Sequence, residues 1–371
     1  MKNDLINSDV FKIMENWAPK NFAYDWDNVG LQVGSFNKPV NKIMITLDVL
    51  ESVVDEAIES NADLIIAHHP LLFKSIKQID TDSPNGRIIQ KLIQHHISVY
   101  ASHTNLDAAE GGVNDMLCDV LDIKTREVLV HTETEKLYKI VVFVPKTYVS
   151  DMQDVLSSSD AGHIGNYSHC TFQTEGQGTF KPLDGTKPYI GSRDKVEFVD
   201  EVKIETIVQE GKVQHTINAM IKAHPYEEVA YDIYPLKNIG KKYGIGRIGS
   251  LDKAISLDKF CEHIKTVFDI PRLRVIGDLT KTVKNIAVLG GSGEKYIHLA
   301  RQMGADAYIT GDMTFHTAQD AWQSGLSVID PGHYIEKIMK HATKSYLDGK
   351  LKQCGIEIFT SRSNTDPFHF L

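Results

Sequence analysis

Cysteine is scarce in this chain of 371 residues, and its four cysteines are far apart, with no C-x-x-C spacing: Cys118, Cys170, Cys261 and Cys354. This spacing excludes a disulfide framework and a thiolate metal site. Any bound metal must therefore be held by histidine and carboxylate side chains. The cysteine pattern also indicates a reducing compartment, the cytoplasm.

Long apolar runs and basic clusters are absent as well. No stretch approaches eighteen consecutive apolar residues, which excludes a transmembrane helix. The polar N-terminus, MKNDLINSDV, is not followed by an apolar stretch, so we expect no signal peptide. A formal net charge of −9 and a pI near 6.0 disfavour nucleic-acid and anionic-membrane binding. We therefore expect a cytoplasmic protein that binds neither membranes nor nucleic acid.

The first third of the chain alternates short apolar strands with helices. A first helix is expected to start at Ser8 as N-cap and to stop before Pro19. Continuous apolar runs then predict strands over 43–48, 64–69 and 97–102, with helices over 52–59 and 87–96 between them. Apolar strands joined by helices indicate a parallel sheet covered on both faces.

The last third repeats this rhythm, and the middle differs from both. Strands are predicted over 286–290, 307–312, 326–330 and 356–361, and helices near 294–303, 314–324 and 334–347. The middle reads roughly β-α-β, Gly-rich loop, β-α-β, which predicts an inserted ferredoxin-like α+β module. The predicted fold class is α/β: two βαβ halves form one metal-binding α/β domain, residues 1–130 plus 246–371, and the insert covers 131–245.

Several strands are followed directly by polar residues that can bind metal ions. In open α/β sheets, ligands bind beyond the carboxyl ends of the strands. Glu336 lies three positions after His333, a spacing that on a helix places both side chains on one face. The positions just past the strands are occupied by Asp48, His68, His69, His103, Asp107 and His333.

Three histidines and two carboxylates form a ligand set suited to Zn²⁺, Mn²⁺, Fe²⁺ or Co²⁺. Five ligands exceed one tetrahedral site, so the pattern predicts two ions that share a bridging carboxylate, Asp107 or Glu336, and a water from which hydroxide forms at neutral pH. An isolated His-His pair is usually two surface residues, as expected for His95-His96 at a helix end. The convergence of several strand ends is what favours a metal site. The five predicted ligands are His68, His69, Asp107, His333 and Glu336.

Of three further motifs, two have two interpretations each and the third has one. The turn GGSGE, residues 290–294, is either a phosphate cradle or a tight turn. In TGDMTFH, His316 is a candidate proton donor or substrate contact, and Asp312 or Thr314 is a candidate helix N-cap. Asp27 in WDNVG is interpreted as part of a plain turn.

Five blocks of this sequence resemble signatures of the NIF-three-like family, also called GTP cyclohydrolase I type two. They are WDNVGLQVG (26–34), AHHPLLF (67–73), SHTNLDAAEGGVND (102–115), GDMTFHTAQDAWQSG (311–325) and VIDPGHYIEK (328–337). The resemblance implies a dinuclear metal centre, commonly zinc, on the same five ligands, and a ring-shaped homohexamer with the sites facing an internal cavity. HPYEEVAYDIYPL (224–236) is similar to a strand of CutA-like and PII-like modules.

Two functions follow as hypotheses. The first is a metal-dependent hydrolase of GTP-cyclohydrolase type, which opens the guanine ring of GTP at C8 and releases formate. His103 or His316 would move protons in this reaction, and Asn105 or Thr104 would orient the base. The second is a metal-binding or nucleotide-sensing regulatory protein without turnover, with the insert as effector domain.

Overall fold

Within residues 5–369, which the computed structural model describes, strands and helices alternate over most of the chain. The strands are β1 Gly30–Val33, β2 Lys42–Thr46, β3 Leu64–Ala67, β4 Ser98–Ala101, β5 Lys124–Thr134, β6 Leu137–Pro145, β7 Thr171–Phe180, β8 Glu197–Gln209, β9 Tyr231–Leu236, β10 Lys242–Ser256, β11 Arg274–Ile276, β12 Thr282–Ser292, β13 Ala307–Gly311, β14 Ser327–Asp330 and β15 Glu357–Thr360. The helices are α1 Asn7–Trp17, α2 Glu51–Glu59, α3 Pro84–Gln94, α4 Thr104–Ala108, α5 Val113–Val120, α6 Val149–Ser158, α7 Val213–Ala223, α8 Leu257–Phe268, α9 Ile297–Gln302, α10 Phe315–Gln323 and α11 Met339–Leu351. No helix in the described residues combines the length and the apolar character needed to cross a membrane.

The chain divides into two compact units, one made of Met1–Glu133 and Tyr243–Leu371 and the other of Thr134–Lys242. The first unit contains a five-stranded sheet in the order β1-β4-β3-β2-β15 and a six-stranded sheet in the order β11-β14-β13-β12-β10-β5. Both sheets have a parallel centre, β4-β3-β2-β15 in one and β12-β13-β14 in the other. This architecture confirms the predicted α/β class.

The five-stranded sheet is covered on both faces, as its apolar strands require. One face packs against α2 and α3, and the other packs against α1. Alternate residues of each strand enter different cores because successive side chains of a strand point to opposite faces. For example, Met44 and Ile65 join the first core, whereas Ile43, Ile45 and Ile66 join the second.

The second core is shared by both sheets and holds the first unit together. Ile286, Ile309 and Ile329 of the six-stranded sheet join Ile43 and Ile66 in one buried cluster, into which α5, α8 and α11 also pack. Each fully buried Ile or Leu contributes roughly 1.5–3 kcal/mol relative to exposure. The carboxyl ends of strands from two different sheets are thereby held in fixed positions.

All the predicted strands are present, but the last one lies in a different sheet from the one expected. β15 pairs in parallel with β2, with Ile358 opposite Ile43, instead of extending the sheet of β12 to β14. The edge of that sheet beyond β14 is occupied by antiparallel β11, which the sequence analysis did not predict. The open edge of β2 therefore receives the last strand.

The start of the first helix also differs from the prediction. α1 begins at Asn7, with Ile6 as the N-cap residue, so Ser8 lies inside the first turn. The carboxylate of Asp9 accepts a hydrogen bond from the Ile6 amide at 3.2 Å, which satisfies one donor of the helix start. The helix ends before Pro19, as predicted.

The second unit follows the order β6-α6-β7-β8-α7-β9 and forms an antiparallel sheet, β7-β8-β6-β9. This order of elements is that of ferredoxin-like α+β modules. Its own core packs Met152 and Leu156 of α6 and Ile217 and Met220 of α7 against the sheet.

A buried ion pair joins the six-stranded sheet to α5. Arg247 of β10 donates to both carboxylate oxygens of Asp115, from Nε at 2.9 Å and from Nη2 at 2.8 Å. The remaining guanidinium donors reach the carbonyls of Ala109, Gly244 and Gly246. Arg247 and Asp115 are only 5% and 7% exposed, so neither charge has water as an alternative partner.

Replacing Arg247 by Met should lower the free energy of unfolding by about 3 kcal/mol, because the buried Asp115 carboxylate loses two hydrogen bonds and keeps only the more distant Arg126, 3.4 Å away, as a cation. Equilibrium urea unfolding measures this change. The control Arg301→Met, at an exposed position on α9, should stay within about 0.5 kcal/mol of the wild type. Equal stability of the two variants would contradict the assignment.

Candidate metal centre

The five predicted ligands converge at the carboxyl ends of strands from both sheets of the first unit. His68 and His69 follow β3, and Asp107 lies in α4 after β4. His333 and Glu336 lie on a 3-10 helix, His333–Ile338, that follows β14. Residues three apart eclipse each other on a 3-10 helix, which explains why His333 and Glu336 face the same point.

These side chains form overlapping groups in which all ligand atoms lie within 4.8 Å of one another. Each group contains three residues, as a metal ion with open positions would use. The groups are His68–Asp107–Glu336, His69–His333–Glu336 and His68–His69–His103.

Glu336 belongs to both groups that contain a carboxylate. Its Oε2 lies 3.1 Å from Nε2 of His69, 3.2 Å from Nε2 of His333 and 3.8 Å from Nε2 of His68. Asp107 belongs to only one of the groups. Of the two carboxylates considered as a bridge, the geometry favours Glu336.

Two buried polar atoms in the centre have no hydrogen-bond partner, namely Nε2 of His68 and Oδ1 of Asp107. They lie 3.6 Å apart. Leaving a buried donor or acceptor unpaired costs about 1–3 kcal/mol per group. A divalent cation bound by both atoms would remove this cost, so the residues fit a metal ion, and imidazole with carboxylate suits Zn²⁺, Mn²⁺, Fe²⁺ or Co²⁺.

Each histidine of the cluster is oriented through Nδ1, so that Nε2 is left to face the centre. A hydrogen bond at one ring nitrogen fixes the tautomer and leaves a lone pair on the other, which is how proteins orient metal-binding imidazoles. The contacts are His68 to the Ser102 carbonyl at 2.8 Å, His69 to Asp48 at 2.6 Å, His103 to Asp27 at 2.9 Å and His333 to Asp312 at 2.7 Å.

Three carboxylates hold these rings, Asp27, Asp48 and Asp312, and none of them was predicted in this role. Asp48 and Asp312 both follow parallel strands at the edge where the histidines lie, and that position was the available signal. Of the two predicted N-cap candidates of α10, the structure confirms Thr314 and not Asp312. Asp27 had no such signal, since its turn meets His103 only through the tertiary fold, and interpreting it as a plain turn was incomplete.

The protonation preferences follow from burial and from these contacts. Burial lowers the pKa of His68 to about 3, so it is a neutral imidazole. Burial also disfavours a charged His69, but hydrogen bonds to Asp48 and Glu336 outweigh it and raise the pKa to about 10. Burial and the charge of Glu336 raise the pKa of Asp107 well above its usual value. A metal ion bound at Nε2 of His69 would therefore displace a proton.

The Gly-rich end of β12 makes room for Glu336. A Cβ on Gly290 would lie 2.7 Å from Oε1 of Glu336, and one on Gly291 would lie 3.0 Å from it. The amide of Gly290 donates to Asn114, and that of Gly293 donates to Thr310. These two amides are thus unavailable to a phosphate group.

A cleft of about 400 Å³ opens onto the cluster. His103 and Thr104 line it, and Thr104 donates its hydroxyl to Asp27. Four aromatic side chains and one lysine also line the cleft. These side chains are Tyr24, Trp26, Phe73, Tyr296 and Lys295.

Two residues with a predicted role in the reaction are not among those that line the cleft. His316 lies exposed on α10, with Nδ1 3.3 Å from Oε1 of Gln319, and does not line the cleft as described for residues 5–369. Asn105 is fully buried and donates its amide to the Ala18 carbonyl at 2.7 Å, so it has no free amide for a base.

A histidine–carboxylate cluster at the strand ends of an α/β unit, with His68 and Glu336 buried, defines a candidate metal-binding protein. The Duf34/NIF3 (NGG1p interacting factor 3) family matches residues 6–367, and this chain belongs to that family. The family predicted from the five sequence blocks is thereby confirmed.

Relatives match over nearly the whole chain. A Bacillus subtilis protein named "GTP cyclohydrolase 1 type 2 homolog" is 50% identical over 373 residues, covering 100% of both chains. A Listeria innocua protein of the same name is 46% identical and covers 96% of this chain and 97% of its own. The crystal structure of a Bacillus cereus protein related to NIF3 matches with a TM-score of 0.94 and 47% identity, covering 99% of this chain and 100% of that one.

Asp48→Ala should weaken metal binding about 10–100-fold, because it removes the hydrogen bond that orients His69. Competition against a chromophoric chelator measures the affinity. Asp252→Ala, at an exposed position on β10, is the matched control and should bind metal as the wild type does. Unchanged affinity in Asp48→Ala would show that Asp48 does not orient a metal ligand.

Gly290→Ala should reduce the metal content of the purified protein, since the added methyl group collides with the Glu336 carboxylate. Elemental analysis gives the metal content. Gly349→Ala serves as the control because nothing lies within 4 Å of its Cβ, and replacing a helical Gly by Ala stabilises by about 1 kcal/mol. Full metal content in Gly290→Ala would refute the packing argument.

Proposed function

We propose that this protein is a divalent-metal-dependent hydrolase of GTP-cyclohydrolase type, which opens the guanine ring of GTP at C8 and releases formate. The observation that carries the proposal is the pair of ligand groups that share Glu336 beside an open cleft. The names of the Bacillus subtilis and Listeria innocua relatives support the substrate.

In this proposal each subunit holds two divalent ions, with zinc as the first candidate and Mn²⁺, Fe²⁺ or Co²⁺ as alternatives. One ion would use His68, Asp107 and Glu336, and the other His69, His333 and Glu336. Bound there, such ions would polarise the substrate and lower the pKa of a water molecule.

The chain's own contribution is proton transfer and positioning. Asp27 holds Nδ1 of His103 at 2.9 Å, which leaves Nε2 to accept a proton from attacking water and return it to the departing nitrogen. Two waters are consumed. The first breaks the C8–N9 bond and leaves a formyl group on N7, and the second breaks the C8–N7 bond to give formate and an amine. Thr104 lines the cleft as a substrate contact.

We further propose that the protein is a cytoplasmic, toroidal homohexamer and that residues 131–245 are a PII/CutA-like inserted domain. The family resemblance supports the hexamer. The β-α-β-β-α-β order of the second unit supports the insert. Light scattering of the purified protein tests the assembly.

Metal analysis combined with a formate assay tests the hydrolase. We expect about two ions per chain in the wild type and fewer in His68→Ala and Asp107→Ala, while His316→Ala retains them. Wild-type protein loaded with Zn²⁺, Mn²⁺, Fe²⁺ or Co²⁺ should release formate from GTP, and both ligand variants should not. Two bound ions without formate release in any of the four metals would exclude this reaction.

The second candidate is a metal-binding or nucleotide-sensing regulatory protein without turnover. It is favoured by the separate core of the second unit, in whose described residues no group of three metal-ligating side chains occurs. Saturable GTP binding with no formate released would support this candidate over the hydrolase.

A further inference from the structure

Two large aromatic side chains remain open to solvent beside the metal cluster. Trp26 is 57% exposed and Phe73 is 48% exposed, although both line the cleft. Their ring centroids are 5.8 Å apart at an interplanar angle of 67°, and each stands edge-on to the His103 ring at 6.3 Å. The rings therefore form a partly open aromatic corner around the proposed proton carrier.

Tyr24 fixes the position of the Trp26 ring on the side away from the open surface. Tyr24 stacks against it at 5.5 Å with an interplanar angle of 13°, and the amide of Tyr24 donates to the Thr104 hydroxyl at 3.2 Å. The ring of Trp17, by contrast, stacks on that of Tyr346, with 4.2 Å between the ring centroids. Trp26 is thus oriented by the protein while much of its own surface is left for another molecule.

A cation lies at the other end of the same wall. Nζ of Lys295 is 4.9 Å from the Tyr296 ring centroid and 6.0 Å from that of Tyr24. Lys295 has no carboxylate within 4 Å in the described part of the chain. The carboxylates that line the cleft there, Asp107 and Glu336, both belong to the candidate metal groups. The ammonium group is therefore available to a ligand anion.

We propose that the cleft recognises a nucleoside phosphate by two contacts besides the metal centre: its planar heteroaromatic ring stacks on Trp26, and its phosphate lies at Lys295. Phe73 forms the second wall of the ring site. Tyr24 separates the two contacts, which matches a ligand whose ring and anion are joined by a spacer such as ribose. This inference rests on the proposed function for the location of the reacting centre, and it adds the substrate-orienting residues.

A cationic ligand fits this cleft less well, although aromatic cages bind ammonium groups. Lys295 would repel such a ligand, and the nearby carboxylates are taken up by the metal groups. An uncharged aromatic ligand would leave Lys295 without a role. The combination of rings and one cation is what favours an aromatic anion.

Calorimetric titration of the metal-loaded protein with GTP and with guanosine separates the two contacts. Trp26→Leu should raise the Kd of both ligands about tenfold or more, because stacking on an aromatic side chain contributes to both. Lys295→Met should raise the Kd of GTP about tenfold and leave that of guanosine unchanged. Trp26→Phe retains a stacking ring and should keep most of the affinity.

The matched controls are Trp322→Leu, on α10 outside the cleft, and Lys253→Met, on β10. Both positions are exposed, as Trp26 and Lys295 are, so all four variants are expected to fold. An unchanged Kd of GTP in Lys295→Met, or of guanosine in Trp26→Leu, would overturn the proposal. A formate assay tests the hydrolase separately. If the Kd values change as predicted but no formate is released, the nucleotide-binding site stands and the hydrolase is excluded. If formate is released but the Kd values do not change as predicted, only the proposed binding site is refuted.

Discussion

The buried carboxylate of Glu336 is the group around which the first unit is arranged. An ionised carboxylate removed from water costs several kcal/mol unless cations and hydrogen bonds surround it. Here the His69 and His333 imidazoles lie 3.1 and 3.2 Å from its Oε2, and contacts with both hold its pKa well below the usual value despite burial. The side chain has room only because β12 passes it with Gly290 and Gly291. The end of β12 and the 3-10 helix that carries Glu336 are therefore both arranged to accommodate this carboxylate.

The residues around this centre fix it more firmly than the ligands alone could. Asn114 bridges two of its walls, since its amide donates to the Asp107 carbonyl and its oxygen accepts from the Gly290 amide. The next residue, Asp115, is clamped by Arg247 from β10. Asp48 orients His69 with one carboxylate oxygen and accepts the Thr365 hydroxyl with the other. Such outer contacts set the orientation, and hence the metal affinity, of the ligands.

The cleft combines this rigid floor with walls of a different character. The floor carries the partly or fully buried histidines and carboxylates, whereas Trp26, Phe73 and Lys295 are exposed at the rim. A ligand would therefore meet apolar surface and one cation before it reached the reacting centre. That division suits a molecule with a flat ring and an anionic group, and it places binding and chemistry on separate residues.

The sequence by itself determined the continuous apolar strands, the polar residues at their ends and the family. β2, β3 and β4 were predictable because strands buried on both faces must be apolar throughout. His68 and His69 stood out because they come directly after such a strand. These are local properties, which the order of residues contains.

Only the tertiary structure decided which distant groups meet. It brings Asp27 to His103 across 76 positions and buries Asn105 against the Ala18 carbonyl. It also carries β15 back to β2, because β11 occupies the edge beyond β14. His316 shares a motif with Asp312, yet it lies exposed on α10. Periodicity and spacing report the faces of single elements, whereas these outcomes depend on how the packing of two sheets around one core aligns their strand ends.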